Sequence, residues 1–403
     1  MKLTIGLFFG GMSVEHEISV ISGLQAYAAF DREKYNIIPV YIAKDMCMYA
    51  GGDVADIKKY ADASKIIKTA KSVTLGANGV ILDKRGKQFG KIDLAFPVVH
   101  GTNVEDGALQ GYFQTLCVPY CGCDVLSSAL GMDKASMKYV LAAAGVRVLP
   151  CTVVRLEEYI SGRDSIVASV ERQYTYPVIV KPVNLGSSIG IKLARDRAEL
   201  YAALDLALMF APTALVERAV TAIKEVNVSV LGDPDFAEAS ECEEPVATDG
   251  ILGYSDKYEN GGNGKGKLHA AKLGGIGSTK LTGTVTGAKS VNSAGMSSLS
   301  RKIPADITEQ TREEIRETAV RAFRALGCSG VSRLDFIIDT DSGDIYLNEI
   351  NTIPGSLAFY LWQPTGVDYT ALLDRVVDIA LKRERVKRSL NFSFDTNILA
   401  RFS

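Results

Sequence analysis

The chain has few of the features that mark specialised classes of protein. Its 403 residues carry a formal net charge of −2, so it lacks the basic patch expected of a protein that binds nucleic acid or an anionic membrane. No apolar run approaches the ~20 residues needed to span a bilayer. The seven cysteines and three histidines show no metal-ligand spacing, and reduced thiols are expected.

The N-terminal stretch MKLTIGLFFGG contains an apolar run that stops at a pair of glycines. It lacks the length and the small-residue cleavage site of a signal peptide, so it is interpreted as a first strand. Together with the absence of a spanning run, this predicts a cytoplasmic protein.

Strand-like and helix-like segments alternate over the first 126 residues. The apolar strand candidates are LTIGLFF, YNIIPVYI and DLAFPVVH, and helical patterns separate them. Alternation of this kind favours a parallel, Rossmann-like sheet whose ligand loops follow the carboxyl ends of the strands.

The remaining chain has a different pattern. A helical stretch, the strand YPVIVKP and the glycine-rich loop NLGSSIG lie within residues 127–220, and the strand EVNVSVLG, a hairpin and a long helix lie within residues 221–403. Between about 259 and 300 Gly, Ser, Thr and Lys dominate. Such a long aperiodic stretch is typical of a functional lid or a disordered insert.

The hairpin is predicted to carry four polar side chains on one face. Arg333 and Asp335 lie two positions apart on one apolar strand, Glu349 and Asn351 lie two apart on the next, and the turn TDSG separates the strands. Residues two apart on a strand point to the same face. Carboxylate and amide oxygens suit Mg²⁺, and an arginine can stabilise a transferring phosphoryl group. The alternative is a solvated hairpin edge with an ordinary ion pair.

The glycine-rich loop is a second candidate site, for phosphate. Lys181 ends the preceding strand, and Ser187, Ser188 and the loop glycines offer hydroxyl and backbone donors to phosphate oxygens. The loop matches neither the P-loop nor the dinucleotide-binding pattern. A plain hairpin turn is the alternative interpretation.

Acidic residues and a histidine mark further strand ends. Glu217 and Glu225 flank a break between strands, where carboxylates could meet an adenine amino group and ribose hydroxyls. Glu15 follows Ser13, a candidate N-cap, and His100 ends a strand. The alternative for each is a solvated or purely structural side chain, since acidic residues in a first helical turn are favoured by the helix dipole alone.

Eight stretches, taken in order, resemble the D-alanine–D-alanine ligases of the ATP-grasp superfamily. They cover most of residues 3–383 and read FGGMSVEHEISVISG, FPVVHGTNVEDGALQG, MDKASMK, YPVIVKPVNLGSSIGI, VERAVTAIKEVNVSVLG, DKYE, RLDFIIDTDSGDIYLNEINTIPG and the helix that follows. The resemblance implies a Rossmann-like domain (1–126), a central ATP-grasp subdomain (127–220) and a C-terminal ATP-grasp subdomain (221–403) with a lid insert at about 259–300.

The resemblance also implies ATP-dependent ligation of two D-alanines through an acyl phosphate, for peptidoglycan precursors. Mg²⁺ or Mn²⁺, as two ions, would be the cofactor, and the protein would be a homodimer that binds neither nucleic acid nor membrane. The implied sites are as follows: catalysis by Glu15, Ser187, Tyr258 and Arg333; substrate binding by Glu15, His100, Gly355 and Tyr360; ATP binding by Lys134, Lys181, Ser187, Ser188, Glu217, Glu225 and Lys257; metal binding by Asp335, Glu349 and Asn351.

Two departures from the family pattern concern the acceptor and the lid. After Pro354-Gly355 the sequence reads SLAFYLWQPTG, which places Tyr360 where a serine is expected, and the insert is longer than the usual loop. A D-Ala–D-Ser or D-Ala–D-lactate ligase and a non-catalytic nucleotide-binding homologue are therefore alternatives. The pair Lys257-Tyr258 favours an amine acceptor over lactate.

Overall fold

The computed structural model describes residues 2–245 and 301–393, and their backbone forms three β-sheets with helices packed against them. Lys257, Tyr258, the predicted lid insert and the chain after residue 393 lie outside the described residues. Within the described part of the chain, no helix is both long enough and apolar enough to cross a membrane.

The first sheet combines parallel and antiparallel strands. Its elements are β1 (Leu3–Gly10), α1 (His16–Ala29), β2 (Tyr35–Ile42), β3 (Met48–Ala50), α2 (Ala63–Thr69), β4 (Lys71–Leu75), β5 (Val80–Asp83), β6 (Gln88–Lys91), β7 (Leu94–Pro97) and α3 (Ala108–Thr115). The strand order is β6-β5-β4-β3-β2-β1-β7. As predicted from the alternating pattern, β1 pairs in parallel with β2 and β7.

The prediction of a parallel sheet is wrong for residues 48–91. There β3 to β6 extend the sheet as antiparallel strands. Four residues separate β4 from β5, and four separate β5 from β6. Connections this short permit only antiparallel pairing, because a parallel pair needs a crossover of about a dozen residues.

The second sheet is antiparallel, in the order β10-β9-β11-β8. Along its strands, apolar residues that pack against two helices alternate with residues on the opposite face of the sheet. Lys181 and Glu217 lie on that opposite face. The elements of this region are α4 (Val125–Met132), α5 (Lys134–Ala143), β8 (Cys151–Arg155), α6 (Leu156–Gln173), β9 (Val178–Pro182), β10 (Lys192–Ala194), α7 (Arg197–Phe210) and β11 (Thr213–Arg218).

The third sheet is also antiparallel and contains the predicted hairpin. Its elements are β12 (Ile223–Gly232), β13 (Ala237–Pro245), β14 (Arg301–Lys302), α8 (Glu309–Ala325), β15 (Gly330–Asp339), β16 (Ile345–Asn351) and α9 (Tyr369–Arg388), with the order β14-β13-β12-β15-β16. Arg333 pairs with Asn351, and Asp335 pairs with Glu349. The four side chains therefore lie on one face of the hairpin, as the sequence predicts.

The hydrophobic core of the first sheet extends well beyond the N-terminal region. Ile353, Trp362 and Val376 pack in the same core cluster as Leu7 and Phe9 of β1. The segment after β16 is thus anchored against the first sheet. The domain boundaries at residues 126 and 220 stay predictions.

Candidate active site

A cleft lies between the second and third sheets. Lys181 on β9 and Glu217 on β11 line one wall, while Glu225 on β12 and Asp335 on β15 line the other. Apolar side chains complete the lining, among them Leu149, Ile179, Ile191, Leu193 and Ile337. A concave site with apolar walls and a few converging charges is typical of a small-molecule pocket.

The four predicted hairpin side chains lie together on one face, and two of them, Asp335 and Glu349, line the cleft. Arg333 Nε and Nη2 each donate to one carboxylate oxygen of Asp335, both at 2.7 Å, and Asn351 Nδ2 donates to Asp335 Oδ2 at 3.2 Å. Burial alone would lower the pKa of Arg333, but the Asp335 carboxylate outweighs it and the pKa is raised well above its usual value. The arginine therefore remains a buried cation beside the cleft.

Lys134 connects the hairpin to the glycine-rich loop. It is the first residue of α5, whose N-cap Asp133 accepts a hydrogen bond from Ser136 N at 2.7 Å. Lys134 Nζ donates to the backbone oxygen of Leu185 at 2.7 Å and lies 3.5 Å from Glu349 Oε2. The lysine therefore lies where a phosphate bound by the loop would also face the hairpin.

The oxygen-bearing side chains of the hairpin fit a magnesium site. Asp335 and Glu349 are opposite each other on paired strands, and Asn351 is linked to Asp335. Each carboxylate lies beside a cation, Asp335 beside Arg333 and Glu349 beside Lys134. Ionised carboxylates and an amide oxygen are the hard ligands that Mg²⁺ prefers.

A bulge in β16 adds a residue that the sequence analysis missed. Asp335 pairs with Glu349, but Phe336 pairs with Leu347, so Asn348 is an extra residue in the ladder. Asn348 and Glu349 consequently both line the cleft, although they are adjacent in sequence. Asn348 Oδ1 accepts a hydrogen bond from Lys181 Nζ at 3.1 Å. No period-two pattern could have placed Asn348 there.

A buried carboxylate holds two lysines at the base of the cleft. Glu217 forms ion pairs with Lys181 and with Lys138, and the Lys138 Nζ to Glu217 Oε2 distance is 2.7 Å. Burial would raise the pKa of Glu217, but the two lysines reverse this and the pKa is lowered. Burial also lowers the pKa of Lys138, against the attraction of Glu217.

Lys138 was not predicted as a site residue, although a signal was present. In MDKASMK the two lysines are four residues apart, which places them on one face of a helix. Glu217 itself, predicted as an adenine contact, has its carboxylate between two lysines, and its contact with a nucleotide stays a prediction.

The glycine-rich loop reaches Glu15, which lies between β1 and α1. Ser187 Oγ donates to Glu15 Oε1, and Ser187 and Ser188 have φ of +55° and +57°. A Cβ at Gly186 would lie 3.0 Å from Glu15 Oε2, so only glycine allows this approach without displacing the carboxylate. The loop and Glu15 therefore close one end of the site together.

Ser13 does not cap α1 as expected. The N-cap residue is Glu15, without a side-chain capping hydrogen bond, and Ser13 Oγ donates to the backbone oxygen of His100 at 2.6 Å. Because that hydroxyl connects the loops after β1 and β7, its role is to hold the two loops of the site together.

His100 and Glu105 are buried and bind the segment after β16. His100 Nδ1 lies 2.8 Å from the backbone oxygen of Ile353, and its Nε2 lies 3.0 Å from Ser22 Oγ. Burial lowers the pKa of His100, so the neutral ring is favoured. Glu105 accepts from Ile353 N at 2.8 Å and from Thr352 Oγ1 at 3.2 Å, and burial raises its pKa to about 8. Glu105 was not among the predicted site residues.

Tyr360 belongs to a buried polar cluster beside β13 of the third sheet. It lies in the 3-10 segment Gly355–Leu361, its hydroxyl donates to Glu243 Oε1 at 3.3 Å, and Arg301 covers its ring at 3.9 Å. Burial raises the pKa of Tyr360 to about 12. Glu243 also accepts from Asn227 Nδ2 at 3.1 Å, and Asn227 is the register partner of Asp335. The Tyr360 cluster is therefore connected to the metal-binding face.

The family models for the N-terminus and the C-terminus of D-ala D-ala ligases match residues 4–123 and residues 140–278 and 288–378. The chain belongs to the D-alanine–D-alanine ligase family. It is 36% identical over 399 residues to the D-alanine–D-alanine ligase of Thermosipho melanesiensis, covering 98% of each chain. It is 37% identical over 397 residues to that of Heliobacterium modesticaldum, covering 96% and 97% of the two chains.

Solved structures of ligases share the fold. The VanG D-Ala:D-Ser ligase from Enterococcus faecalis matches with a TM-score of 0.74 and 29% identity, over 94% of this chain and 100% of that one. The D-alanine-D-alanine ligase from Coxiella burnetii matches with a TM-score of 0.76 and 25% identity, over 96% of each chain. The predicted ATP-grasp architecture is confirmed, with a mixed N-terminal sheet and two antiparallel sheets.

Proposed function

We propose that this protein joins two D-alanine molecules into D-alanyl-D-alanine while ATP is converted to ADP and phosphate. One observation carries the proposal: within a chain of this family, Arg333, Lys134 and Lys181 lie beside one cleft with oxygen-bearing side chains that suit magnesium. That combination suits a reaction in which a nucleotide phosphate meets a carboxylate.

The reaction has an electrostatic problem that these cations solve. A carboxylate is a poor acylating agent, so its oxygen attacks the terminal phosphate of ATP, ADP leaves, and an acyl phosphate forms. Both reactants are anionic, and Lys134, Lys181 and Arg333 offset their repulsion. Asp335, Glu349 and Asn351 would hold Mg²⁺ or Mn²⁺, as two ions, which supply further positive charge at the phosphates.

The second half of the reaction needs an amine and a dry site. The neutral amine of the second D-alanine attacks the acyl carbon, phosphate leaves and the nitrogen loses a proton. Glu15 holds the ammonium of the first D-alanine, with Ser187 beside it. Arg333 and the backbone near Gly355 stabilise the tetrahedral oxyanion, and Tyr360 faces the acceptor.

The remaining roles complete the nucleotide site. Ser188, Glu217 and Glu225 contact the phosphate, adenine and ribose. Lys257 and Tyr258 close the site against water, because acyl phosphates hydrolyse. These two residues lie outside the described part of the chain, and their roles follow from the family resemblance alone.

The biological setting follows from the same proposal. D-alanyl-D-alanine is a peptidoglycan precursor, and we place its synthesis by this protein in the cytoplasm, in a homodimer. Size-exclusion chromatography with light scattering measures the oligomeric state directly.

An amino-acid panel tests the activity. The protein is incubated with ATP, MgCl₂ and D-alanine, alone or with D-serine, D-lactate or L-alanine, and ADP release and product mass are measured. We expect one ADP per D-alanyl-D-alanine. ADP formed only with D-serine or D-lactate would replace the proposal by a ligase with that acceptor. Nucleotide binding without ADP release in any mixture would indicate a non-catalytic homologue.

Replacement of a metal ligand tests the cation site. Glu349→Gln keeps the shape of the side chain and removes its charge, so we expect Mg²⁺-dependent turnover to fall by orders of magnitude with an unchanged circular dichroism spectrum. The matched control is Glu313→Gln, which removes an exposed carboxylate paired with Arg316 on α8. Turnover of Glu349→Gln near that of the wild type at saturating ATP would contradict the ligand assignment.

A further inference from the structure

The turn after β16 has an unusual backbone. Ser356, Leu357 and Ala358 have φ of +52°, +53° and +50°, so three consecutive non-glycine residues are left-handed. For L-residues this conformation is strained and normally occurs at single positions. All three residues are buried. A strained turn of this kind persists only where the surrounding structure imposes it.

The groups that impose the turn come from the other end of the chain. Ser22 Oγ accepts a hydrogen bond from Ser356 N at 2.9 Å, and Gln25 Oε1 accepts from Ser356 Oγ at 2.6 Å. Ser22 and Gln25 are three residues apart on α1 and therefore share a face of that helix. This face of α1 contacts the turn directly, so the helix holds Ser356 in place.

His100 orients the Ser22 hydroxyl. Its Nδ1 faces the backbone oxygen of Ile353 and must donate, so Nε2 of the neutral ring accepts from the Ser22 hydroxyl. The oxygen of that hydroxyl is then turned towards Ser356 N. Both ring nitrogens of His100 are used by the protein itself. His100 therefore acts on the turn through its hydrogen bonds to Ser22 and Ile353.

The turn lies where its shape matters for the reaction. It begins five residues after Asn351, which pairs with Arg333, and it leads into Tyr360. Thr352 and Ile353, between Asn351 and the turn, are bound by Glu105. The backbone from the predicted metal ligands to the predicted acceptor subsite is thus held by groups from the N-terminal domain.

We propose that Ser22 and Gln25, with His100 behind Ser22, are positioning residues that hold Ser356–Ala358 in its left-handed shape and so fix the backbone beside Arg333 for acyl transfer. This inference rests on the proposed ligase function. It assigns to α1 a task in the second half-reaction that is separate from nucleotide binding.

A rescue experiment separates positioning from general stability. Ser22→Ala removes the acceptor for Ser356 N, and we expect kcat for dipeptide formation to fall about 10- to 100-fold, as small misplacements of reacting groups do. KM for ATP should stay within about twofold, because Lys134 and Lys181 are untouched. Adding Ala358→Gly should restore most of the activity, since glycine adopts positive φ without strain.

The matched control is another buried serine of the same helix. Ser19 Oγ donates to the backbone oxygen of Val98 and accepts from Gly10 N, away from the turn. Ser19→Ala should lower stability without a selective fall in kcat and without rescue by Ala358→Gly. If Ser22→Ala does not fold, Gln25→Leu is used in its place. Gln25 is partly exposed, and its replacement removes the second contact to Ser356.

A second measurement does not depend on turnover. Hydrogen exchange of the peptide spanning residues 351–362, read by mass spectrometry, should be faster in Ser22→Ala, return towards the wild-type rate with Ala358→Gly, and be unchanged in Ser19→Ala. Wild-type exchange in Ser22→Ala, or loss of kcat without rescue, would overturn the proposal. If the wild type forms no dipeptide, the ligase proposal fails, while the exchange rates still decide whether Ser22 holds the turn.

Discussion

The nucleotide cleft and the turn at Ser356–Ala358 are stabilised in opposite ways. In the cleft, charges compensate each other at close range, as with Glu217 between Lys138 and Lys181. The turn has no charged group of its own and is held by neutral hydrogen bonds to Ser22 and Gln25. The cleft is therefore sensitive to the loss of a charge, and the turn to the loss of a well-placed partner.

The two regions also differ in the origin of their contacts. Lys181 and Glu217 lie on neighbouring strands of one antiparallel sheet. Ser356 and Ser22 are separated by 334 residues, and His100 and Ile353 by 253. The site thus combines a charge network between the second sheet and α5 with a backbone segment shaped by contacts to α1.

The largest effect is expected at the point where the two regions meet. Arg333→Gln removes a buried cation beside the cleft and the turn, and we expect turnover to fall about 10²- to 10³-fold, the usual loss for one oxyanion-stabilising donor. Initial rates at saturating ATP and D-alanine measure it. Arg163→Gln, which removes an exposed ion pair with Asp205, is the control and should leave the rate unchanged. A loss below tenfold for Arg333→Gln would contradict its role.

Glu217→Gln tests the charge compensation in the cleft. It leaves two buried lysines without their shared carboxylate, so we expect destabilisation of about 3–5 kcal/mol. The urea midpoint measures the change. Adding Lys138→Met should recover part of it, because one unpaired cation is then removed.

The matched control for the cleft is Glu199→Gln at a partly exposed position of α7, where a change of about 0–1 kcal/mol is expected. A Glu217→Gln protein as stable as this control would show that the buried network does not stabilise the cleft.

Glu105→Gln tests how the segment before the turn is held, through the pH dependence of stability. Burial raises the pKa of Glu105 from the usual 4.5 to about 8, so the folded protein holds a proton that the unfolded chain releases. Its contribution to stability is complete below pH 4.5 and is lost as pH rises through about 8. Thermal unfolding at pH 5 and pH 8.5 should show a smaller difference in Glu105→Gln than in the wild type. An equal difference would contradict the assignment.

The smallest effect is expected at Asn348. Asn348→Ala removes the neutral partner of Lys181 and leaves Glu217 in place, so we expect nucleotide affinity to weaken by about 1 kcal/mol, roughly fivefold. Calorimetric titration with ADP and Mg²⁺ measures it. Ser342→Ala, in the hairpin turn, is the control. Unchanged affinity would mean that Glu217 alone positions Lys181.

The sequence predicts those features of the molecule that the local periodicity of side chains specifies. That Arg333 shares a face with Asp335, and Glu349 with Asn351, was predictable because a period of two fixes which residues of one strand share a face. Asn348 was not, because a bulge shifts that period by one residue. The antiparallel strands within residues 48–91 were missed because short, weakly apolar strands carry little signal of their pairing.

The amino-acid order by itself determined the strand and helix alternation and the face shared by residues two apart on β15 or on β16, since each depends on the local periodicity of side chains. The bulge at Asn348, which brings the polar residues of the two strands to one face, was decided by the fold. Only the tertiary structure decided that Glu217 holds two lysines and that Ser22, Gln25 and His100 shape the turn at Ser356. Those contacts join residues distant in the chain, and their geometry exists only once the sheets and α1 have packed together.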